Sequence, residues 1–467
     1  MPKTLRLSVY ALALCLLLAA TAGLWLATTP TGRQLHTELL SRSPNEVIRY
    51  LKRRLQGHNK LEAVLLPPLH AAQRHIERPP PAGPLPTLGK GQQRQALPNP
   101  VEGITRTWPV ASPQDIRQAL LKAQPGTHIV IAPGLYPFSL KLRLGQAGRP
   151  GAPIVLSARQ PGTVWLQFSQ VEGILVDQPH WVFENLDISG HCKRHDDCEH
   201  AFHVVGRAAH TTLRNNRLTN FNAHIKVNGA GGHWPDHGLL AFNTLSNTAP
   251  RETLRSVVPF DLVAANHWRV QDNHVSHFSK RHGNQVAFGL FMKGASEGGR
   301  IERNLVVCSP TDISAPGVRV GISFGGGGTG ATFCRDGSCQ AFEHRHGLAA
   351  NNIVAHCNDT ALDVNHATHI TLAHNTLINT SGVGVRQAPA QARLHGNLYE
   401  GVARARDGTT LEPHHNEPLR PQGHFLDADA LQLQWQNPPE KAPTANGVVD
   451  DFYGQQRAPF SRPGALQ

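Results

Sequence analysis

Leu213-Arg214-Asn215-Asn216-Arg217-Leu218 decides the fold once it is set beside the stretches that echo it. An apolar residue, an asparagine three positions on and a second apolar residue two further recur along the chain. They appear as Leu240/Asn243/Leu245, Val270/Asn273/Val275, Ile301/Asn304/Val306, Leu348/Asn351/Ile353, Leu372/Asn375/Leu377 and Leu394/Asn397/Tyr399. Successive asparagines stand 22 to 31 residues apart, except for an interval of 47 between Asn304 and Asn351 that carries an insertion. One such asparagine means little; seven in one register mark a stacked repeat. Each short unit cannot bury its apolar face alone, so units stack into a continuous core. An asparagine fixed at a turn bonds backbone groups and the asparagine of the next rung.

Working outward from that repeat, the expected architecture is an all-β, right-handed parallel β-helix. Leucine-rich repeats also use asparagine in this way, but they need a denser leucine pattern. The 43 Gly, 35 Pro and 28 His, with aromatics at only 6%, suit short strands broken by turns. Ser112, Pro113 and Asp115 ahead of Ile116–Leu121 signal an N-terminal capping helix. Ser43, Pro44 and Glu46, followed by Val47, Leu51 and Leu55, signal a basic helical stem. Pro79–Pro100 is a semi-rigid linker. The expected division is 1–30 signal anchor or transmembrane segment, 31–105 stem and Pro-rich linker, 106–455 β-helix, and 456–467 C-terminal tail.

Val9–Ala27 is an apolar run of 19 behind Lys3 and Arg6, long enough to span a bilayer core. Ala20-Thr21-Ala22 offers a cleavage site, so a secreted protein is the alternative to a membrane anchor. Cys15 lies in this run, leaving an even set of six. Cys192 with Cys198 and Cys334 with Cys339 bracket short turns, which favours two local disulfides plus Cys308–Cys357, although six cysteines allow other pairings. Disulfides place the body outside the cytoplasm, periplasmic or extracellular. Zinc is disfavoured because the spacing matches no common finger.

The net charge of +12 directs attention to polyanionic partners. Pro125-Gly126-Thr127-His128-Ile129-Val130, followed by Pro133-Gly134-Leu135-Tyr136, resembles the first rung of pectate-lyase-like β-helix proteins. The order of parts is similar to the chondroitinase-B and alginate-lyase family. Phe291-Met292-Lys293-Gly294, then Arg300-Ile301-Glu302-Arg303-Asn304, resembles that family's catalytic-lysine strand and the turn after it. The resemblance implies a polysaccharide lyase with Lys293 as base and Arg319 in the place of the catalytic arginine. It also implies calcium, but Asn284–Lys293 contains no carboxylate to hold the ion. No cofactor is therefore expected. Gly325-Gly326-Gly327-Gly328-Thr329-Gly330 lacks the Lys-Ser/Thr of a phosphate-binding loop and reads as a turn or loop.

Strand alternation sorts inward from outward side chains. It turns His203, His224, Lys226, Asp261, Lys293, Arg319, Asp363, Asn365 and Arg386 outward, as a strip that meets an acidic polysaccharide. On such a substrate β-elimination needs a base, a neutraliser for the uronate carboxyl group and a proton for the leaving oxygen. Lys293 is the expected base and Arg319 the neutraliser; the other seven are expected to bind substrate, and of these Lys226 and His224 are also rivals for the catalytic roles. Two further readings stay open, a uronate C5-epimerase and a non-catalytic polysaccharide-binding β-helix. A hydrolase is disfavoured because it needs two carboxylates about one bond. Nucleic acid is disfavoured by the compartment and the scarcity of aromatic platforms. A monomer is expected.

Overall fold

The computed structural model describes residues 101–467 apart from 312, 314–316, 327 and 420–422, together with residues 29, 47–48, 51–52, 55, 59–76 and 86–93. The expected anchor at 1–30 lies almost wholly outside the described residues. Among the described residues no helix is long and apolar enough to cross a membrane. The chain divides into Met1–Glu77 and Arg78–Gln467. The first unit contains an 18-residue helix, Asn59–Ile76, that includes Pro67 and Pro68.

The second unit is a parallel β-helix. Its coils contribute to three long parallel sheets of 12, 10 and 11 strands. One coil runs from Thr212–Arg214 in the 12-stranded sheet to Arg217–Thr219 in the 11-stranded sheet and Ile225–Asn228 in the 10-stranded sheet. The inward residues stack in register: Leu213 on Leu240, Val270, Ile301, Ala349, Leu372 and Leu394. All seven are buried. Each stacked leucine or valine contributes about 1.5–3 kcal/mol of apolar burial.

The asparagines form a buried ladder on the turn between the first two of these strands. Asn216 Nδ2 donates to Asn243 Oδ1 at 3.1 Å, Asn243 to Asn273 at 3.0 Å, and Asn273 to Asn304 at 2.9 Å. The row continues through Asn352, Asn375, Asn397 and Asn416. Each Nδ2 also reaches a backbone carbonyl, as from Asn243 to Leu213 O at 2.9 Å. One rung of the expected repeat is out of register by one residue. The ladder member is Asn352, and the inward residue is Ala349 rather than Leu348. Asn351 takes the preceding turn position, at φ 56°, and binds Arg457 instead.

A second column explains much of the histidine content. His180, His210, His237, His267, His346 and His369 all have φ between 53° and 59°. This left-handed region is one that His, Asn and Asp enter more readily than most residues. The first four rings stack at 4.6, 5.2 and 5.0 Å, within 15° of parallel. Gly298, at φ +67°, fills the next step, where a Cβ would meet His267 Nδ1 at 2.3 Å.

The capping helix Pro113–Lys122 forms as expected, with Ser112 Oγ accepting from Asp115 N at 3.1 Å. Its Ile116, Ala119 and Leu120 are buried in the core of the first coils. At the other end the parallel strands stop at Glu417–Pro418. Beyond them come two short antiparallel strand pairs. Leu419, Phe425, Leu431 and Phe452 pack on Leu305, Val307, Ile353 and Ile378, which face outward from the 11-stranded sheet. Residues 456–467, expected as a tail, belong to this cover: Ala465 and Leu466 are buried. They complete an apolar surface that the coils alone leave open.

The disulfides Cys192–Cys198, Cys308–Cys357 and Cys334–Cys339 are formed. The Cys308–Cys357 bridge joins neighbouring coils, whose strands Leu305–Val307 and Ile353–Ala355 pair directly.

Candidate functional site

Cross-strand register on the 10-stranded sheet sets His203, Lys226, Asp261, Phe291, Ser323 and Asp363 side by side in one row. A second row, two residues on, places Lys293 beside Val263 and Arg386 beside Asn365.

Asp261 is the centre of the first row. Lys226 Nζ donates to its Oδ2 at 2.5 Å, and Lys293 Nζ stands 3.8 Å from its Oδ1. Burial pushes the Asp261 carboxyl up, but Lys226 and Lys293 outweigh it and hold the group at about 2. Next to this cluster, His203 Nδ1 bonds Glu172 Oε1 and its Nε2 bonds Asn228 Oδ1, both at 2.8 Å. The His203 hydrogen bond, opposed by burial and helped by Lys141, holds Glu172 at about 2. Further along, Arg386 grips Asp363 with two bonds of 2.9 Å, and Ser323 Oγ donates to the same carboxylate at 3.2 Å. Asn365 is buried, and its Oδ1 has no hydrogen-bond partner.

A cleft of ≈ 190 Å³ opens beside Lys293, lined also by Lys280, Asn284, Phe288, Phe291 and Gly326. Phe288 and Phe291 stack at 4.3 Å and 20°, and Lys293 Nζ lies 4.3 Å from the Phe291 ring centre. Lys280 is 5% exposed. Its Nζ donates to Leu254 O and Asn284 Oδ1, each at 3.1 Å. Burial pushes its pKa down. The insertion supplies the far wall. Glu343 accepts from Gly294 N and Thr329 Oγ1 at 2.8 Å and from Thr329 N at 3.1 Å, which ties the glycine loop to the turn after Lys293. A Cβ at Gly326 would meet Phe291 Cζ at 2.5 Å, so the close approach of this loop requires glycine there. Arg335 anchors the insertion with bonds of 2.7 and 2.9 Å to Asp236.

Two expected members of the strip stand elsewhere. Arg319 pairs with Ala287, six residues before the position opposite Gly325, the residue that follows Phe324 beside Met292. At about 3.3 Å per residue it lies about 20 Å along the strands from the Lys293 position. It is 1% exposed, with Nη2 donating to Ile313 O at 2.9 Å. It is a covered structural residue and does not reach the cleft. His224 is likewise buried, its Nε2 at 3.0 Å from Ser246 O. Burial holds its pKa at about 4. His224 is covered by neighbouring segments, which alternation does not report, whereas at Arg319 the alternation itself shifts: its partner Ala287 lies in the core, and Phe288 and Phe291, three residues apart, both line the cleft.

Lys280, Phe288 and Glu343 escaped the sequence reading. Lys280 lies outside the strands, in a single parallel bridge with Arg251, so no repeat indexes it. Glu343 was hidden in an insertion with no repeat to index it. Among the described residues one acidic and thiol cluster has metal-ligand spacing, Cys334, Asp336 and Cys339. Its two sulfurs are joined in a disulfide and are not available as ligands.

No family model and no curated protein matches the chain in sequence. Solved structures resemble it in fold. Pectate lyase Pel9A is 15% identical, with a TM-score of 0.54 over 78% of this chain and 96% of that one. A rhamnogalacturonan lyase is 12% identical, with a TM-score of 0.48 over 76% and 97%. An alginate lyase from Paenibacillus sp. str. FPU-7 is 13% identical, with a TM-score of 0.42 over 67% and 99%. The fold is the pectate-lyase-like parallel β-helix.

Proposed function

We propose that the protein is a polysaccharide lyase that cleaves an acidic, uronate-containing polysaccharide by β-elimination. The observation that carries this reading is the cleft that holds two lysines in unlike surroundings beside an aromatic pair. Lys280 meets only neutral acceptors and is buried, a setting that favours the neutral amine. Lys293 is ion-paired with Asp261 and presents positive charge to the same space. Lys280 is thus suited to take the proton α to the uronate carboxyl group, and Lys293, expected as the base, is suited instead to neutralise that carboxyl group. The electron pair left by the proton forms the new carbon–carbon double bond as the bond to the 4-linked oxygen breaks. That oxygen leaves with a proton from Lys280 or from water. Phe288 and Phe291 offer a face for a sugar ring.

The row from His203 to Arg386 extends the surface along the coil axis, with neighbouring strands about 4.8 Å apart. Asp261 and Asp363 stand three strands apart, about 14 Å, too far to flank one glycosidic bond as hydrolase carboxylates do. The three disulfides support a body that works outside the cytoplasm.

The experiment is to incubate the full chain with a panel of acidic polysaccharides, following ultraviolet absorbance and product size. Absorbance that rises as chains shorten supports the lyase. Exchange of the α-proton with solvent deuterium at constant chain length identifies a C5-epimerase instead. Binding with neither change identifies a non-catalytic polysaccharide-binding protein.

A further inference from the structure

A second cavity, of ≈ 380 Å³, lies under the Cys192–Cys198 loop, with Lys193, His195, Asn220, Thr248 and Arg251 in its wall. It shares no lining residue with the Lys293 cleft. No carboxylate lines it. Arg251 is 4% exposed. Its Nε donates to Asn222 Oδ1 at 2.9 Å and its Nη2 to His195 O at 3.3 Å, both neutral acceptors. Among the described residues it forms no ion pair, and it lines the cavity. Asp196, the carboxylate that acts on it from a distance, is engaged by Thr253 Oγ1.

A buried cation without a counter-charge is costly, and here burial pushes the guanidinium down to about 10, with Asp196 only partly opposing. An anion in the cavity would offset that cost. The remaining wall suits one. His195 Nδ1 accepts from Glu252 N at 2.7 Å, so the neutral ring carries its proton on Nε2 as a donor. Lys193 adds charge at the rim, where it is exposed. The wall is held in place by the disulfide and by Asn222 Nδ2 donating to His195 O at 2.8 Å.

We infer that this cavity is a binding site for a single oxyanion, a carboxylate or a sulfate, with Arg251 as its principal donor. The site stands on its own geometry and does not depend on the lyase reading. Its occupant is either a free ion or the acidic group of a sugar chain. Backbone pairing of Arg251 with Ser279 and Arg281 ties the site to the segment that carries Lys280.

The test is equilibrium binding and thermal unfolding of the full chain with sodium sulfate, sodium glucuronate and a defined oligouronate, against sodium chloride at equal ionic strength. Saturable binding of sulfate or glucuronate is expected, with affinity reduced by about tenfold or more in Arg251→Gln and by a smaller factor in Lys193→Gln. Tighter binding of the oligouronate than of glucuronate, with the gain lost in Arg251→Gln, identifies the sugar chain as occupant. Equal binding of the two identifies a free ion. A response no greater than that to chloride, or affinities unchanged in both variants, overturns the site. Lys193→Gln decides the matter if Arg251→Gln does not fold, because Lys193 is exposed. Lyase activity is not read in this experiment, so either proposal can fail without the other.

Discussion

Lys280 and Lys293 line one cleft, yet only Lys293 faces a carboxylate: its Nζ stands 3.8 Å from Asp261 Oδ1, whereas Lys280 Nζ meets a backbone carbonyl and an amide oxygen. The asymmetry separates the two roles. Lys280→Ala is expected to lower kcat by about 10²–10⁴-fold, the usual contribution of a positioned base. Lys293→Arg, which keeps the charge, is expected to retain more activity than Lys293→Ala. Initial rates of ultraviolet-absorbing product measure both. Full activity in Lys280→Ala would remove it from the mechanism.

Glu343 acts through the glycine loop rather than on substrate. Glu343→Ala leaves Gly294 N and the Thr329 amide and hydroxyl without their acceptor. The expected result is a KM raised by about tenfold, with kcat changed less, as uniform binding is lost. Limited proteolysis should also cut between residues 328 and 342 sooner. A fall in kcat with KM unchanged would argue against a positioning role.

The Asn ladder bears on stability. Asn273→Ala deprives Asn243 of its side-chain acceptor and removes the donor to Leu240 O and Asn304 Oδ1. Leaving these buried groups unpaired is expected to cost about 3 kcal/mol. Urea unfolding reads the change as a lower midpoint at unchanged slope.

Acid should destabilise the fold well before carboxylates protonate. Burial holds His224 and His274 at about 4 in the folded state, below the ordinary value of 6.5. The unfolded chain therefore binds more protons between those two values, and stability rises with pH across that window. Their contribution is complete above about 6.5 and is lost as pH falls toward about 4. Glu172 and Asp261, both held at about 2, extend the loss to lower pH. Urea midpoints measured from pH 7.5 to 4.5 should fall steadily. A flat profile over that range would show that these histidines are not buried as described.

The coil was legible in the sequence because the ladder asparagine carries its own spacing, with apolar residues at fixed offsets. The one slip arose where Asn351 and Asn352 are adjacent and either fits the pattern. A second signal resolves it. A histidine stands six residues before the ladder member at His210/Asn216, His237/Asn243, His267/Asn273, His346/Asn352 and His369/Asn375. The functional face was legible only where nothing covers the strand. Lys226, Asp261 and Lys293 come together because register is a local property of paired strands. His224 does not join them because it is covered, and Arg319 does not because the in-and-out order of its strand shifts between Ala287 and Leu290, which no spacing in the sequence announces.

The asparagine ladder has a direction. Each side-chain amide from Asn216 to Asn397 gives one of its hydrogens to the ladder oxygen of the next coil in chain order, while its own oxygen accepts from the coil before. Turning one amide over would set donor against donor on one side and acceptor against acceptor on the other. The eight amides therefore share a single orientation and behave as one polar thread. Such a thread accepts whole coils or none. The long excursion between Asn304 and Asn352 leaves it unbroken because it departs and returns between turns, so the protein can elaborate its loops freely while the count of coils stays an integer.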